Sequence, residues 1–305
     1  MHERLDWQRD GGDWPNRQAS RFVHASGLVW HLQQFLDAGD DAPLVLLLHG
    51  TGSSSHSWRD VAPVLARHCR VLVPDLPGHA FTTMPSPSSE QSLPGMARRV
   101  EQLLDSLQLT PSLIVGHSAG AAIGARMVLD GRLRPTALVS LNVAFVGFGG
   151  LAGALFSPLA RLLSTGTMAA RWFARQALDP AFVERLVRGT GSSIDEVGMR
   201  MYARLLQCPA HVRSALAMMA HWDLAALGRE LPGLRLPVWL VGAANDLTVP
   251  ASQVGQVAAL LPQAETVLWP HLGHLAHEED PALCVALLRQ VLDAVDLYRG
   301  QPCTC

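Results

Sequence analysis

The chain has 305 residues, of which 49% are hydrophobic and 16% are charged. This composition supplies a large apolar core and excludes a disordered chain or a coiled coil. The 24 basic and 26 acidic side chains nearly balance, so the concentrated basic face that binds nucleic acid is not expected. Every basic side chain is arginine, which excludes Schiff-base chemistry on lysine and a P-loop lysine.

The N-terminal sequence and the hydropathy pattern predict a cytoplasmic protein. Residues 1–6 carry charges where a signal peptide has an apolar run, and no stretch of about 18 uncharged apolar residues follows. The cysteines are scattered and lack C-x-x-C spacing, so we expect free thiols rather than disulfides or a zinc site. We predict no metal and no cofactor.

Short, almost wholly apolar runs predict the strands of a parallel sheet that is buried on both faces. Helical patterns lie between most of these runs, and this alternation indicates an α/β fold. Two weaker alternating stretches, residues 21–24 and 29–33, predict an antiparallel hairpin at the sheet edge. The predicted buried strands are residues 44–48, 71–74, 113–115, 137–141, 238–241 and 266–269. The predicted helices are residues 58–68, 93–107, 118–129, 252–260 and 281–295.

Residues 143–231 interrupt this alternation with helical patterns and glycine-rich joints. We predict that they form a helical cap inserted between two core segments, residues 1–142 and 232–305. Such insertions usually cover the carboxyl edge of the sheet, where ligands bind. The first part of the insertion has no acidic residue but contains three arginines, which fits either an apolar pocket wall with a few cations or ordinary helix packing. These arginines are Arg161, Arg171 and Arg175.

The sequence Gly116-His-Ser-Ala-Gly120 directly follows a predicted strand and opens a helical pattern. This is a G-x-S-x-G motif in the strand-turn-helix context that it requires. The glycines allow a tight, strained turn, and the turn exposes the central side chain at a helix N-terminus. We therefore predict that Ser118 is a nucleophile.

A serine hydroxyl needs a base to take its proton, and the base needs an acid to orient it. Asp246 lies in the loop after the strand at 238–241, and His274 lies in the loop after the strand at 266–269. We predict that His274 is the base and Asp246 the orienting acid. The three-residue spacing of His271, His274 and His277 also permits a metal site, but the run lies in a loop and lacks the H-E-x-x-H pattern.

A tetrahedral intermediate of acyl transfer needs N–H donors for its oxyanion. One predicted donor is the backbone of Ala119, which follows the nucleophile. The second is Thr51, with Gly52 as the alternative, in the glycine-rich loop His49-Gly-Thr-Gly-Ser53. We expect His79, in the loop after the next strand, to have a structural rather than a catalytic role.

The ordered motifs resemble those of the α/β-hydrolase superfamily over residues 44–280, and more narrowly those of the BchO family, the magnesium-chelatase accessory hydrolases of bacteriochlorophyll biosynthesis. One departure is Ala80, where the wider superfamily usually has glycine. The shared superfamily motifs are H-G-x-G, D-x-P-G-H, G-H-S-A-G, N-D-x-x-V-P and G-H-x-x-H-E. The sequence segments on which the narrower resemblance rests include Asp13-Trp-Pro-Asn-Arg17, Ser57-Trp-Arg-Asp60, Ser140-Leu-Asn142, Phe148-Gly-Gly-Leu-Ala-Gly153, Phe156-Ser-Pro158 and Arg188-Gly-Thr-Gly191.

The resemblance implies an α/β-hydrolase fold with a mostly parallel sheet, and a role near magnesium insertion into a tetrapyrrole. It also implies magnesium chelatase subunits as partners. An apolar macrocycle with propionates would suit an apolar cap, with Arg161, Arg171 and Arg175 pairing with the carboxylates. We predict substrate contacts, alongside the catalytic side chains, from His49, Gly50, Gly52, Trp58, His117, Asn142 and Phe148.

Two classes of function remain open at this point. The first is a serine hydrolase that acts on an ester-like bond of a small apolar molecule, and the complete set of Ser118, Asp246 and His274 favours it. The second is a non-catalytic accessory protein that binds a tetrapyrrole for magnesium chelatase. The same site in an enzyme of non-hydrolytic chemistry is a further possibility, whereas an aspartate nucleophile is excluded by Ser118. We expect at most peripheral contact with a membrane.

Overall fold

The computed structural model describes residues 2–84, 88–142, 145, 167–261 and 263–295. Its strands are β1 Ser20–Ala25, β2 Leu28–Phe35, β3 Leu44–Leu48, β4 Arg70–Pro74, β5 Leu113–His117, β6 Ala137–Leu141, β7 Val238–Ala243 and β8 Ala264–Trp269. Its α-helices are α1 Trp7–Asp10, α2 Ala62–Leu65, α3 Leu93–Leu107, α4 Ala119–Leu129, α5 Thr167–Gln176, α6 Pro180–Arg188, α7 Glu196–Leu206, α8 Pro209–His221, α9 Leu224–Glu230, α10 Ser252–Ala258, α11 Ala276–Glu279 and α12 Pro281–Ala294. Short 3-10 helices span Arg17–Ala19, Ser55–Trp58, Ser88–Gln91 and Leu231–Gly233.

The strands form one sheet in the order β1-β2-β4-β3-β5-β6-β7-β8. β1 pairs with β2, and β2 with β4, in antiparallel orientation, and all other neighbours are parallel. The predicted edge hairpin and the mostly parallel α/β-hydrolase sheet are therefore confirmed. The parallel order brings the carboxyl ends of β3, β5, β6, β7 and β8 to one edge, which is where ligands bind in open α/β sheets.

Side chains of the central strands alternate between two apolar layers. In β3, Leu44, Leu46 and Leu48 pack on one face with α3 and α4. Val45 and Leu47 pack on the other face with α2 and α12. Each fully buried leucine contributes about 1.5–3 kcal/mol, so the sheet is a stable base for the loops at its carboxyl edge.

The continuous helix predicted at residues 58–68 is wrong. The chain forms a 3-10 helix at Ser55–Trp58 and a separate short helix, α2. Pro63 explains the break, because it lacks an N–H and its ring would clash with the carbonyl of residue 59 in a continuous helix. It is tolerated near the start of the restarted helix.

The described part of the predicted cap contains only helices, α5 to α9. This agrees with the predicted helical character, while the boundaries at 143 and 231 stay a prediction. Phe148 and Arg161 lie outside the described residues. The buried faces of these helices are apolar, with Val183, Val187, Met201 and Leu205 among the side chains that pack inward.

The N-terminal segment is tied to the cap. The backbone carbonyl of Glu3 accepts from the N–H of Ala210 at 3.0 Å, and the Glu3 carboxylate lies 2.9 Å from Arg213 on α8. Asp13 lies 2.7 Å from Arg204 on α7. The first residues of the chain thus fasten α7 and α8 from outside.

No helix within the described ranges combines the length and the hydropathy that a membrane crossing requires. The cytoplasmic location stays a prediction. The described cysteines, Cys69, Cys208 and Cys284, are buried free thiols, as the sequence predicts.

Candidate active site

Ser118 lies between the end of β5 and the start of α4, with φ 50° and ψ −114°. A positive φ is strained for a residue with a side chain, and the surrounding contacts hold it there. A Cβ on Gly116 would come within 2.2 Å of the Ala121 nitrogen, and one on Gly120 within 2.2 Å of the Leu48 carbonyl oxygen. Both glycines of the motif are therefore required by close backbone packing.

His274 and Asp246 are joined by a hydrogen bond of 2.8 Å between Nδ1 and Oδ2. The other carboxylate oxygen accepts from the N–H groups of Thr248 and Val249, each at 2.8 Å. Burial would raise the pKa of Asp246, but the hydrogen bonds and the imidazole outweigh it and lower the pKa. Asp246 is therefore an anion that fixes the Nδ1–H tautomer of His274 and leaves Nε2 free to accept a proton.

The main chain of His274 is also held in place. Its N–H donates to the carbonyl of Thr190 at 3.2 Å, and its carbonyl accepts from Nε2 of His117 at 2.7 Å. Burial lowers the pKa of His117 to about 3, so this ring is a neutral donor. The residue before the nucleophile thus positions the loop of the predicted base.

Asn142 connects the ends of β6, β7 and β8. Its Nδ2 donates to Oδ2 of Asp246 at 2.8 Å and to the carbonyl of Gly273 at 3.2 Å. It is nearly fully buried and lies outside the cavity wall. The structure gives Asn142 a supporting contact to Asp246, and the predicted contact with substrate stays a prediction.

The glycine-rich loop after β3, residues 49–53, lies beside Ser118, and its residues 50–53 line the same cavity. Within the described ranges the backbone N–H groups of Thr51, Gly52 and Ala119 donate no hydrogen bond. They are free to bind an oxygen atom at the site. Thr51 and Ala119 stay the predicted oxyanion donors, with Gly52 as the alternative.

His49 anchors this loop from below. Its Nε2 accepts from the N–H of Leu76 at 2.9 Å, and its Nδ1 lies 2.8 Å from the carbonyl of Gly50. His79 is buried on the loop after β4 and does not line the cavity, in keeping with the expected structural role. His49 is fully buried and also lies outside the cavity wall, and its contact with substrate stays a prediction.

Trp58 is fully buried beneath the site, with its ring centroid 4.5 Å from that of His277. It does not line the cavity, and its contact with substrate stays a prediction. His271 is exposed, whereas His274 and His277 are buried, so the three histidines do not converge on one point. Among the described residues no cluster of three side chains is arranged to hold a metal ion.

Ser118 and His274 open into a cavity of about 560 Å³ between the core loops and the cap. Gly50, Gly52 and His117 line it, and their contacts with substrate stay a prediction. Its wall is mostly apolar, and no Asp, Glu or Arg from the described ranges belongs to it. The cap residues that line it are Phe173, Leu186, Val187, Thr190, Tyr202, Leu206, His211, Val212, Ala215, Leu216, Met219, Trp222 and Leu224.

The predicted cap cations do not reach this cavity. Arg171 and Arg175 are exposed on the outer face of α5, and Arg171 lies 3.4 Å from Glu3. The buried side chains of α5 are Ala170 and Ala174, one position before each arginine, which turns the arginines to solvent. Pairing of these two arginines with the propionates of a bound macrocycle is therefore wrong.

Sequence analysis missed Tyr202 and His211, two cap side chains that reach the loop at residues 49–53. Both side chains are buried. The available signal was weak: each is a polar residue on a mostly apolar inner helix face, and the buried face of α8 also carries Ser214.

Comparison with known proteins agrees with this architecture. A model of the alpha/beta hydrolase family matches residues 45–287. The magnesium-chelatase 30 kDa subunit of Rhodobacter capsulatus is 37% identical over 267 residues, which cover 87% of this chain and 92% of that protein.

Solved structures show the same fold at low sequence identity. An alpha/beta hydrolase fold protein from Burkholderia ambifaria has a TM-score of 0.73 and 22% identity, covering 95% of this chain and 100% of that one. The enol-lactonase from Burkholderia xenovorans LB400 has a TM-score of 0.72 and 20% identity, with coverage of 90% and 100%. The chain therefore belongs to the alpha/beta hydrolase family and is related to the magnesium-chelatase 30 kDa subunit.

Proposed function

We propose that this chain is a serine hydrolase that cleaves an ester-like bond of a small apolar molecule. The observation that carries the proposal is the 2.8 Å bond between His274 and Asp246, with His274 and the strained Ser118 lining the same cavity. A bond of this kind keeps one imidazole nitrogen ready to accept the proton of a serine hydroxyl.

In the proposed reaction, Ser118 Oγ attacks the carbonyl carbon of the ester and His274 Nε2 takes the serine proton. Asp246 stabilises the resulting imidazolium. The backbone N–H groups of Thr51 and Ala119 bind the oxyanion of the tetrahedral intermediate. Collapse expels the alcohol, which receives the proton from His274, and a water molecule then cleaves the acyl-serine bond by the reverse sequence.

The cavity supports an apolar substrate. Its volume of about 560 Å³ lies within the usual range for small-molecule sites. Burial lowers the pKa of His211 to about 4 and raises that of Tyr202, so both line the wall as neutral groups at neutral pH. A charged group on the buried part of a substrate would find no opposite charge among the described wall residues and would be costly to desolvate.

We propose that the substrate belongs to magnesium-tetrapyrrole metabolism, on the strength of the similarity to the magnesium-chelatase 30 kDa subunit. The neutral wall favours a tetrapyrrole whose buried edge carries an esterified carboxylate over one that carries a free carboxylate. Magnesium chelatase subunits are the proposed partners.

The test consists of two separate assays. The first is labelling with a fluorophosphonate probe, analysed by mass spectrometry, and the second is hydrolysis of p-nitrophenyl butyrate by unlabelled protein. We expect one adduct, on Ser118, in the wild type and none in Ser118→Ala. In His274→Ala we expect kcat to fall by about 10⁴-fold or more. Ser106→Ala, on α3 away from the cavity, is the matched control and should label on Ser118 like the wild type.

A folded wild type with no adduct and no turnover would overturn the hydrolase proposal. The non-catalytic tetrapyrrole-binding alternative would then be tested by fluorescence titration with a magnesium tetrapyrrole.

A further inference from the structure

The loop at residues 49–53, here called the oxyanion loop, is held by the cap as well as by the core. The carbonyl of Gly52 accepts from Nε2 of His211 at 3.0 Å. Oγ of Ser53 lies 3.2 Å from the hydroxyl of Tyr202, and the hydroxyl of Thr51 lies 3.7 Å from the sulfur of Met218. Three consecutive residues of the loop thus contact α7 or α8.

The contact with His211 has a fixed direction. Nδ1 of His211 accepts from the N–H of Ala80 at 3.0 Å, so Nε2 carries the proton in the neutral ring and donates it to Gly52. The side chain is buried. Ala80 adopts a φ of 44°. Because His211 bonds both Ala80 and Gly52, it joins the loop after β4 to the loop after β3.

Tyr202 is anchored on the side away from the loop. Its O–H donates to Oε1 of Glu278 at 2.7 Å. A phenol has one hydrogen, so the Ser53 hydroxyl supplies the hydrogen for the contact between Ser53 and Tyr202.

Glu278 is in turn held by Arg59 at 2.5 Å, and Arg59 also bonds Asp195 at 2.8 Å. Asp195 is the N-cap of α7. The helix that carries Tyr202 is therefore fastened to the core at its N-cap, where Asp195 bonds Arg59, and again where Tyr202 bonds Glu278.

The oxyanion loop needs such support because of its sequence. Gly50 and Gly52 give its backbone unusual freedom, and Gly52 has a φ of 74°. An oxyanion donor stabilises a transition state only when its N–H is aimed at the developing charge to within a few tenths of an ångström. The cap contacts of Thr51 itself and of Gly52 and Ser53, which follow it directly, restrict where the N–H of Thr51 points.

We propose that Tyr202 and His211 are positioning residues that hold the oxyanion loop, so that the cap is part of the machinery for hydrolysis as well as a wall of the cavity. This inference rests on the proposed serine-hydrolase function. The core residues supply the groups that touch the reacting atoms, and the two cap residues act through Ser53 and Gly52.

The test compares Tyr202→Phe and His211→Ala with the wild type on p-nitrophenyl butyrate. We expect kcat to fall about ten-fold in each, as a fraction of the 10²–10³ effect of removing a whole oxyanion donor, while KM stays within about two-fold. His211→Gln keeps an N–H donor and should recover most of kcat. Arg213→Gln, which breaks a surface ion pair on the same helix, is the control and should keep wild-type kcat.

A second readout reports on the oxyanion site directly. The inhibition constant of a trifluoromethyl ketone, whose adduct with serine mimics the tetrahedral intermediate, should rise in proportion to the fall in kcat/KM. Tyr202→Phe removes only one hydroxyl and tests the proposal even where a larger change perturbs folding.

An active wild type together with unchanged kcat in Tyr202→Phe and His211→Ala would overturn this inference and leave the proposed function intact. A rise in KM alone would also overturn it, because it would indicate that the cap only shapes the cavity. A wild type without turnover or labelling would overturn the proposed function, and this inference with it.

Discussion

The floor of the cavity, formed by the loops at the carboxyl edge of the sheet, and its roof, formed by α5 to α9, are built in opposite ways. On the floor, Asp246 accepts hydrogen bonds from Thr248, Val249, Asn142 and His274. On the roof, Tyr202 and His211 bond the oxyanion loop, and the other cap side chains that line the cavity are mostly apolar. Directional bonds fix atoms to a few tenths of an ångström, whereas apolar packing tolerates substitution when volume is kept. The difference leads us to expect that catalysis depends mainly on the floor and on its contacts with Tyr202 and His211, whereas substrate selection depends on the apolar remainder of the roof.

Gly120→Ala should have the largest effect among the tests of this comparison. The new Cβ would lie 2.2 Å from the Leu48 carbonyl oxygen, so either the turn at Ser118, between β5 and α4, or the end of β3 must move. We expect kcat/KM for p-nitrophenyl butyrate to fall by about 100-fold or more, as for a misplaced catalytic group. Gly255→Ala on α10, with nothing within 4 Å of its Cβ, is the matched control and should raise the melting temperature slightly. Wild-type activity in Gly120→Ala would show that the floor tolerates displacement.

Asn142→Ala removes one of the hydrogen bonds that hold Asp246 and leaves the Gly273 carbonyl without this donor. We expect kcat to fall about ten-fold with little change in KM, because supporting contacts to a site residue commonly cost 10–100-fold. Steady-state kinetics on the same ester measures both constants. A change confined to KM would indicate that Asn142 contributes to substrate binding, the role predicted from the sequence, rather than to the support of Asp246.

The floor was predictable from sequence to a much greater degree than the roof. Ser118 and Asp246 each follow a buried strand, and His274 follows the edge strand β8, which is mostly exposed rather than buried as predicted. Each lies within a short local motif, and parallel strands bring such loops to one edge of the sheet. Tyr202 and His211 meet the oxyanion loop across 149 and 159 positions of sequence. No local pattern specifies those contacts, because they depend on how the cap helices pack on the core.

The register of α5 explains a second failure. Successive residues of an α-helix are rotated by about 100°, so a shift of one position moves a side chain from the buried face to solvent. Ala170 and Ala174 mark the buried face, and this spacing was readable from the sequence. Arginine content alone was a poorer guide than the period of the small apolar residues.

Leu216→Ala probes the roof. This half-buried leucine lines the cavity from α8, and its removal enlarges the space for the apolar part of a substrate. We expect a change in KM of about three-fold for p-nitrophenyl butyrate and a smaller one for a longer acyl chain, with kcat nearly unchanged, since one or two methylene groups are worth about 1–3 kcal/mol at most. A ten-fold loss of kcat at constant KM would erase the distinction between floor and roof.

Glu101 provides a second buried carboxyl for comparison with Asp246. Its Oε1 has no hydrogen-bond partner among the described residues, and Arg132 lies 3.8 Å from Oε2. Burial, with a smaller contribution from Asp130, raises the pKa of Glu101 from 4.5 to about 7. The two pKa values move in opposite directions because only Asp246 has donors at both oxygens.

Glu101→Gln should therefore change stability without changing activity. The folded protein holds a proton on Glu101 that the unfolded chain releases, so the contribution of this residue to stability is full below pH 4.5 and is lost as the pH rises through about 7. We expect the variant to melt about 2 °C above the wild type at pH 8 and close to it at pH 5. An equal difference at both pH values would mean that Glu101 is ionised throughout.

The fastening of the cap by the N-terminal segment also orders events during synthesis. Glu3 and Arg213 are 210 positions apart, and contacts at such separation form slowly because a long chain must first be closed. Glu3 is synthesised before both of its partners, so its ion pairs with Arg171 on α5 and Arg213 on α8 form only after those helices have been made. In pulse-labelling hydrogen exchange we expect the backbone amides of β5 and α4 to gain protection before those of α8. The turn that carries Ser118 would then form before the cap helices could enclose a ligand.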